Sequence, residues 1–182
     1  SGFNARWVVD YEIGTGAKIV VCRANEVIPY IKGVSPAGNF ELPYSCPSCN
    51  NDLTWNGVNL CCENEKCPTK VEANILHWLG TMARIDSLGD NILVPFIKAM
   101  AWETVGDIYS SPVAWGENIT NNFSTDHAQD LLLKLHSKLF LEPVKPDLFL
   151  AAFGLPAVGQ TISKKISDEI GLDEYFSYDR GP

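Results

Sequence analysis

Four cysteines lie close together in the sequence as two pairs, Cys46 with Cys49 and Cys62 with Cys67. Two residues separate the first pair, four separate the second, and twelve residues lie between the pairs. Thiolates on two tight turns can form the closed tetrahedral shell that structural zinc prefers, with Zn–S distances of about 2.3 Å. No histidine lies beside these cysteines in the sequence. The spacing therefore predicts a structural zinc rather than a catalytic one.

The segment between the pairs predicts the hairpin that brings them together. Residues 53–55 read as a strand, Asn56-Gly57 is a two-residue turn signal, and residues 58–60 return. The alternative is two disulfides in an extracellular domain, which the glycosylation-type triplets at Asn118 and Asn122 would suit. Zinc is favoured because the spacing fits one ion and no leader-type segment opens the chain.

Length and charge bound the possibilities. The 182 residues make one or two domains, and no apolar run approaches the roughly 20 residues of a membrane span. The net charge of −8 argues against broad electrostatic attraction to nucleic acid. It still allows phosphate contacts from backbone N–H groups and a few local cations. The chain starts at Ser1 rather than Met, which predicts a processed or partial chain.

The part before the cysteines predicts strands. Residues 7–9, 17–23 and 27–31 are β-rich runs, and 14–16 is a turn. Three strands cannot close a barrel, so they are expected to be either part of a sheet that is completed elsewhere or the tail of a truncated β-domain. Cys22, inside the second run, is expected to be a small core residue.

The part after Cys67 predicts helices. The apolar spacing favours helices over residues 71–79, 90–100, 128–141, 147–153 and 160–170, the last ending at Gly171. Residues 110–125 are expected to be a loop, and 124–126 to hold the N-cap of the long helix.

Two of the predicted helix pairs are joined by similar short turns. The first runs from Ile85 to Gly89 and the second from Phe153 to Gly159, each with an apolar residue before the final glycine. Glycine at a helix start leaves the free N–H groups open to an anion. Such helix–hairpin–helix turns hold DNA phosphates without reading bases, although plain αα-hairpins look the same locally.

These motifs together resemble the C-terminal half of NAD-dependent DNA ligases. The resemblance covers nearly the whole chain and rests most firmly on residues 23–29, on the four cysteines with Pro47 and Pro68, and on residues 153–161. It implies an α+β fold: C-terminal strands of an OB-fold in residues 1–34, a linker and four-cysteine zinc finger in 35–68, and an all-α helix–hairpin–helix DNA-binding domain in 69–182.

The resemblance also implies a function. The family seals nicks in duplex DNA during replication and repair, and this part clamps the nicked duplex in the cytoplasm of a bacterium, or of a host cell if the source is viral. NAD and Mg²⁺ act at an adenylation domain on the same polypeptide or on a partner subunit, or one that has been lost. The chain lacks the Lys-x-Asp-Gly motif that carries the adenylate. We therefore expect no catalytic residue, no membrane partner and no reaction with NAD by this chain alone.

Two departures concern the hairpins. The family has a glycine where this chain has Ser87, and a middle hairpin expected near residues 122–129 lacks its usual Gly-x-Gly. The candidate DNA contacts lie in the first strands and at the two hairpin turns: Asn4, Arg6, Arg23, Leu88, Gly89, Gly154, Val158, Gly159, Thr161 and Lys164. The competing interpretation is a non-catalytic zinc and hairpin module that binds DNA or a protein partner.

Overall fold

The computed structural model describes residues 3–24 and 28–170. The chain divides into two compact units, Ser1–Pro68 and Thr69–Pro182, and each is described by itself. Two parts of the predicted pattern, Val27 and the helix stop at Gly171, lie outside the described residues. The fold is α+β, as predicted, with short antiparallel strands, a cluster of four cysteines and a set of helices.

The first unit combines one short helix with two separate antiparallel strand pairs. Its elements in chain order are α1 (Ala5–Asp10), β1 (Ile19–Ala24), β2 (Ile28–Val34), β3 (Leu53–Asn56) and β4 (Asn59–Cys62). Strand β1 pairs with β2, and β3 pairs with β4.

Residues 7–9 form part of helix α1, so the predicted first strand is wrong. The cause is the residue before the helix. Asn4 has extended backbone angles, and its side-chain oxygen accepts a hydrogen bond from the Trp7 backbone N–H at 2.9 Å. This N-cap satisfies a donor that the helix leaves unpaired. The local cap therefore outweighs the β preference of Val8 and Val9.

The β1–β2 pair leaves its apolar side chains in solvent. Val20 is 59% exposed and Ile28 is 66% exposed. Cys22 is exposed as well, so the expectation that it is a core residue is wrong. The physical reason is that β1 and β2 form a separate two-stranded sheet, and such a pair buries little apolar surface by itself.

The β3–β4 hairpin forms as predicted, but its turn is shifted by one residue. Asn56 pairs with Asn59, so Gly57 and Val58 are the two central residues. Gly57 has a φ of 61°. A type II′ turn needs a left-handed backbone only at its first central residue, and Gly57 supplies it. The predicted turn on Asn56 and Gly57 would have required left-handed backbone at both residues.

The second unit contains helices only among its described residues. They are α2 (Pro68–Ala83, which begins on the last residue of the first unit), α3 (Asp90–Ala99), α4 (Asp107–Ser110), α5 (Ala114–Asn122), α6 (Asp126–Phe140), α7 (Pro146–Ala152) and α8 (Gln160–Glu169). None of the described helices is long and apolar enough to cross a membrane.

Helix α5 lies in the stretch predicted as a loop. Trp115 and Ile119, one helical turn apart, are buried and anchor it to the core. The predicted N-cap of α6 is confirmed, because the Thr125 hydroxyl oxygen accepts a hydrogen bond from the Ala128 N–H at 3.4 Å. The core of the unit is built mainly by α2, α3, α5 and α6, with contributions from α4 and α7. Phe96 is fully buried there and packs against both Trp102 and Trp115.

Candidate functional site

The four cysteines of the sequence motif meet at one point. Their sulfur atoms all lie within 4.8 Å of one another. The Cys46 and Cys67 sulfurs are 3.8 Å apart, and those of Cys49 and Cys62 are 3.6 Å apart. A tetrahedron with Zn–S bonds of about 2.3 Å has sulfurs about 3.8 Å apart, whereas a disulfide needs about 2.05 Å. The geometry fits one metal ion, and none of the six cysteines is in a disulfide.

A tight turn presents the first cysteine pair. The Asn50 N–H donates to the Cys46 carbonyl at 2.9 Å, and the Cys46 N–H donates to the Asn51 carbonyl at 2.8 Å. Asn50 adopts a left-handed φ of 58°, which asparagine tolerates better than most residues. This turn leads the chain from Cys46 into strand β3 and places the Cys46 and Cys49 sulfurs in the same cluster.

Asn64 organises the second pair. Its side-chain oxygen accepts from the Lys66 N–H at 3.0 Å, and its backbone carbonyl accepts from the Cys67 N–H at 3.2 Å. Asn side chains close turns in this manner because the short amide reaches the backbone two residues on. Cys67 is followed directly by Pro68, the first residue of α2, where proline's missing N–H has no consequence.

The surroundings of the sulfurs bias their protonation differently. Cys46 and Cys67 are buried, while Cys49 and Cys62 are half-buried. A hydrogen bond from the backbone of Asn51 lowers the pKa of the Cys49 thiol. Burial raises the pKa of the Cys62 thiol to about 11. A bound cation would favour the thiolate at every one of these positions.

The β3–β4 hairpin is joined to helix α1. The Arg6 guanidinium lies over the Trp55 ring at 4.4 Å from its centroid. The Arg6 backbone N–H also donates to the Val58 carbonyl at 3.0 Å. A cation over an indole face is an attractive contact. Arg6 therefore holds the β3–β4 turn, a role that the sequence did not indicate. Cys61, next to Cys62, stands outside the cluster of four.

The two hairpin turns have the same backbone. In the first, the Leu88 N–H donates to the Ile85 carbonyl at 3.3 Å; in the second, the Val158 N–H donates to the Leu155 carbonyl at 3.0 Å. Both turns then enter a helix through a glycine. Gly89 has φ −100° and ψ 178°, and Gly159 has φ −79° and ψ 179°. The same turn conformation therefore precedes both α3 and α8.

The helix starts behind these turns carry no side-chain cap. Neither Gly89 nor Gly159 can cap its helix, and no other described side chain does so. A Cβ added at Gly159 would meet nothing within 4 Å, so neither backbone conformation nor internal packing requires glycine there. At the middle hairpin, by contrast, Thr125 caps α6 with its own side chain. Of these three hairpin helix starts, two have no side-chain cap and the third has one; α5 and α7 also begin without a side-chain cap, but not behind a glycine.

Charge distinguishes the two open helix starts. Helix α3 begins with Asp90, whereas the first turn of α8 contains no acidic residue. Thr161, Lys164 and Lys165 are exposed on α8. The N-terminus of a helix favours an anion, but a carboxylate already placed there repels it. The start of α8 is therefore better suited to bind an anion than the start of α3.

The remaining candidate contacts are placed as follows. Asn4 uses its side chain to cap α1, and Arg23 is exposed on β1 opposite Pro29. Leu88 and Val158 are half-buried beside their glycines. Gly154 follows α7 with a left-handed φ of 63°. Contact of these residues with DNA stays a prediction.

No protein-family model matches the chain. It is 30% identical to a DNA ligase of Desulfatibacillum aliphaticivorans over 172 residues, covering 94% of this chain and 27% of that protein. It is 29% identical to a DNA ligase of Natronomonas pharaonis, covering 92% and 24%. A DNA ligase of Methylacidiphilum infernorum is 30% identical, with 92% and 25% covered.

The chain therefore spans about a quarter of the length of these curated relatives. The matches extend over both the cysteine cluster and the helical unit, since they cover more than nine-tenths of the chain. The predicted resemblance is thus confirmed at the level of the family: over nearly its whole length the chain is similar to part of a DNA ligase.

Proposed function

We propose that this chain is the DNA-clamping, C-terminal part of an NAD-dependent DNA ligase that seals nicks in replication and repair. In this proposal its first strands end an OB-fold, the four cysteines form a zinc finger, and the helices form a helix–hairpin–helix domain. An adenylation domain outside this chain, on the same polypeptide or a partner subunit in the cytoplasm, would use NAD and Mg²⁺.

One observation carries the proposal. Two equivalent turns open into helices whose first N–H groups have no side-chain cap, and each has glycine at the point of entry. The self-capped start of α6 provides the internal contrast. Free N–H groups at a helix start bind phosphate oxygens without contacting bases. Two such sites suit a protein that holds a duplex backbone on both sides of a nick and positions its ends for chemistry done elsewhere.

A structural zinc fits the four cysteines. It would be held by Cys46, Cys49, Cys62 and Cys67 in a closed shell, with no position left for water. Its contribution is folding free energy, since it ties both ends of the β3–β4 hairpin together.

The acidic chain sets the expected character of DNA binding. With a net charge of −8, affinity would come from backbone N–H groups and from local cations such as Arg23 and Lys164. We expect binding that is weak, insensitive to sequence and steeply dependent on salt.

The test is a salt titration of binding to a fluorescent nicked duplex, with intact duplex and single strand as comparisons. Log K should fall linearly with log salt, and changing the base sequence should not alter affinity. Absence of duplex binding even at about 20 mM salt would contradict the proposal.

A second candidate is a non-catalytic module that binds a protein partner. The net charge of −8 and the acidic start of α3 at Asp90 favour it, because both oppose nucleic acid. Failure of duplex binding, with the metal content intact, would select this candidate.

A further inference from the structure

His77 lies on α2 beside the end of α7, where the second hairpin turn begins. Its imidazole Nε2 is 3.2 Å from the Ala151 carbonyl oxygen. A carbonyl only accepts, so Nε2 carries the proton in this contact. The Ala151 carbonyl also accepts the Gly154 backbone N–H at 3.1 Å, and a carbonyl oxygen has lone pairs for two such bonds. The imidazole therefore supplies a donor to the C-terminal end of α7 from a different helix.

The same ring presses against the first glycine of the turn. Gly154 has a left-handed φ of 63°, and a Cβ placed on it would lie 3.2 Å from the His77 Cδ2 atom. Glycine is thus required at this position both by the backbone conformation and by the close approach of the imidazole. His77 and Gly154 fit as a pair at the base of the turn.

A neighbouring side chain holds the other side of the same helix end. Trp78 meets Phe149 at 5.6 Å and Phe153 at 5.2 Å between ring centroids, both nearly perpendicular. Edge-to-face pairs of this kind are attractive. Trp78 thereby anchors α7 by packing, while His77 adds a side-chain hydrogen bond from another helix to the carbonyl that the Gly154 N–H also contacts. The base of the turn also borders a cavity of ≈ 350 Å³, so truncating the imidazole would enlarge an existing space.

We propose that His77 is a positioning residue for the phosphate-binding turn at residues 153–159. By fixing the Ala151 carbonyl and the backbone at Gly154, it sets the direction in which Gly159 and the start of α8 face. The inference rests on the proposed function, in which that turn holds a DNA phosphate. His77 itself need not touch DNA. The hydrogen bond is the determining contact, so a side chain that restores a donor should restore the position.

The first measurement needs no DNA. Amide hydrogen exchange across residues 153–163 is compared for wild type, His77→Ala and His77→Gln in the full chain, with Asn74→Ala, one turn earlier on the same cavity wall, as the control. We expect exchange to quicken about three- to tenfold in His77→Ala, from the loss of one hydrogen bond, and to return towards wild type in His77→Gln. Unchanged exchange in His77→Ala, or equal acceleration in both variants, overturns the proposal.

The second measurement is affinity for a nicked duplex. His77→Ala should weaken binding about three- to tenfold, His77→Gln should recover most of it, and Asn74→Ala should bind like wild type. If wild type binds and His77→Ala matches it despite faster exchange, His77 does not position the DNA-binding turn. If wild type fails to bind, the proposed function is wrong, whereas the exchange result still decides whether His77 fixes the turn.

Discussion

Ser87 and Ala157 occupy the same position in the two hairpin turns, and both have left-handed backbone, with φ of 68° and 63°. Each is the third residue of a four-residue turn. The Leu88 N–H closes the first turn on the Ile85 carbonyl, and the Val158 N–H closes the second on the Leu155 carbonyl. A type II turn has its left-handed residue at this position, where glycine is preferred. The sequence departs from that preference twice, at matching places. The counterpart of Ser87 is therefore Ala157, and both turns lack a glycine there.

Replacing Ala157 by glycine should stabilise the protein. A left-handed backbone costs an L-residue roughly 1–2 kcal/mol, and part of that gain is offset by the added chain entropy of glycine. We expect the free energy of unfolding to rise by up to about 1 kcal/mol, measured by urea denaturation. Ala73→Gly, the same change at an exposed site inside α2, should instead lower it by roughly 0.5–1 kcal/mol. The same sign in both variants would contradict the argument.

The sequence indicated the cysteine cluster and most helices because both follow from local spacing. A pair of cysteines on a tight turn can point only one way, and the apolar repeat of α6 leaves one buried face. The strand prediction for residues 7–9 failed because a single polar cap at Asn4 outweighed three apolar residues. Helix α5 was missed because its composition is polar, although Trp115 and Ile119 carried the spacing that reveals it.

Other features could not be predicted because they depend on residues far apart in the sequence. Arg6 meets Trp55, and His77 meets Ala151, only after the chain has folded. No periodicity marks such contacts. The left-handed backbone at Ser87 was likewise hidden, since serine carries no signal for that conformation.

Metal content should depend on the four clustered cysteines. Each chain should hold one zinc ion, and Cys46→Ser or Cys67→Ser should release it, because each removes a buried ligand. Cys61→Ser is the matched control: that cysteine is adjacent to Cys62 yet outside the cluster, so the variant should keep its zinc. Native mass spectrometry gives the count. A metal-free chain with almost no titratable thiols would support disulfides instead.

Removing the hydroxyl of Ser163 should stabilise α8. This side chain is fully buried, and its Oγ has no hydrogen-bond partner among the described residues. A buried unpaired polar group costs about 1–3 kcal/mol, and alanine is the better helix former. Ser163→Ala should raise the free energy of unfolding by about 1 kcal/mol. Ser167→Ala, half-buried on the same helix, should change it by less than about 0.5 kcal/mol. Destabilisation by Ser163→Ala would mean that the hydroxyl is hydrogen-bonded after all.

Asp107 should make the start of α4 sensitive to acid. Its carboxylate accepts from the N–H groups of Glu103 and Thr104 at 2.9 and 2.7 Å, and these bonds lower its pKa. A lowered folded pKa gives stability that is present above the unfolded value of about 3.9 and lost as pH falls through the folded one. Asp107→Asn should therefore be less stable than wild type at about pH 6, and thermal unfolding should show this difference in stability shrinking as the pH falls to about 3. Glu103→Gln, whose carboxylate accepts neither bond, should show no such trend.

Binding to nicked DNA should depend more on Gly159 than on Gly89. Gly159→Asp places a carboxylate at the entry of α8, whose first turn has no acid and is followed by Lys164 and Lys165. We expect affinity to fall more than tenfold. Gly89→Asp should have a smaller effect, because Asp90 already opposes an anion there.

Arg23→Ala should make DNA binding less dependent on salt. The slope of log K against log salt should fall in magnitude by about one, which is the effect of losing one phosphate contact.

Two controls separate loss of binding from loss of folding. Aspartate is a favoured N-cap residue, so Gly159→Asp should strengthen the start of α8 while it weakens DNA binding. Gly80→Asp adds the same charge at an exposed site of α2 where a Cβ meets nothing within 4 Å, and it should leave affinity nearly unchanged. Opposite shifts in stability and affinity for Gly159→Asp alone would identify the start of α8 as a phosphate site. Equal binding by wild type and all of these variants would exclude the hairpin turns as the DNA contact.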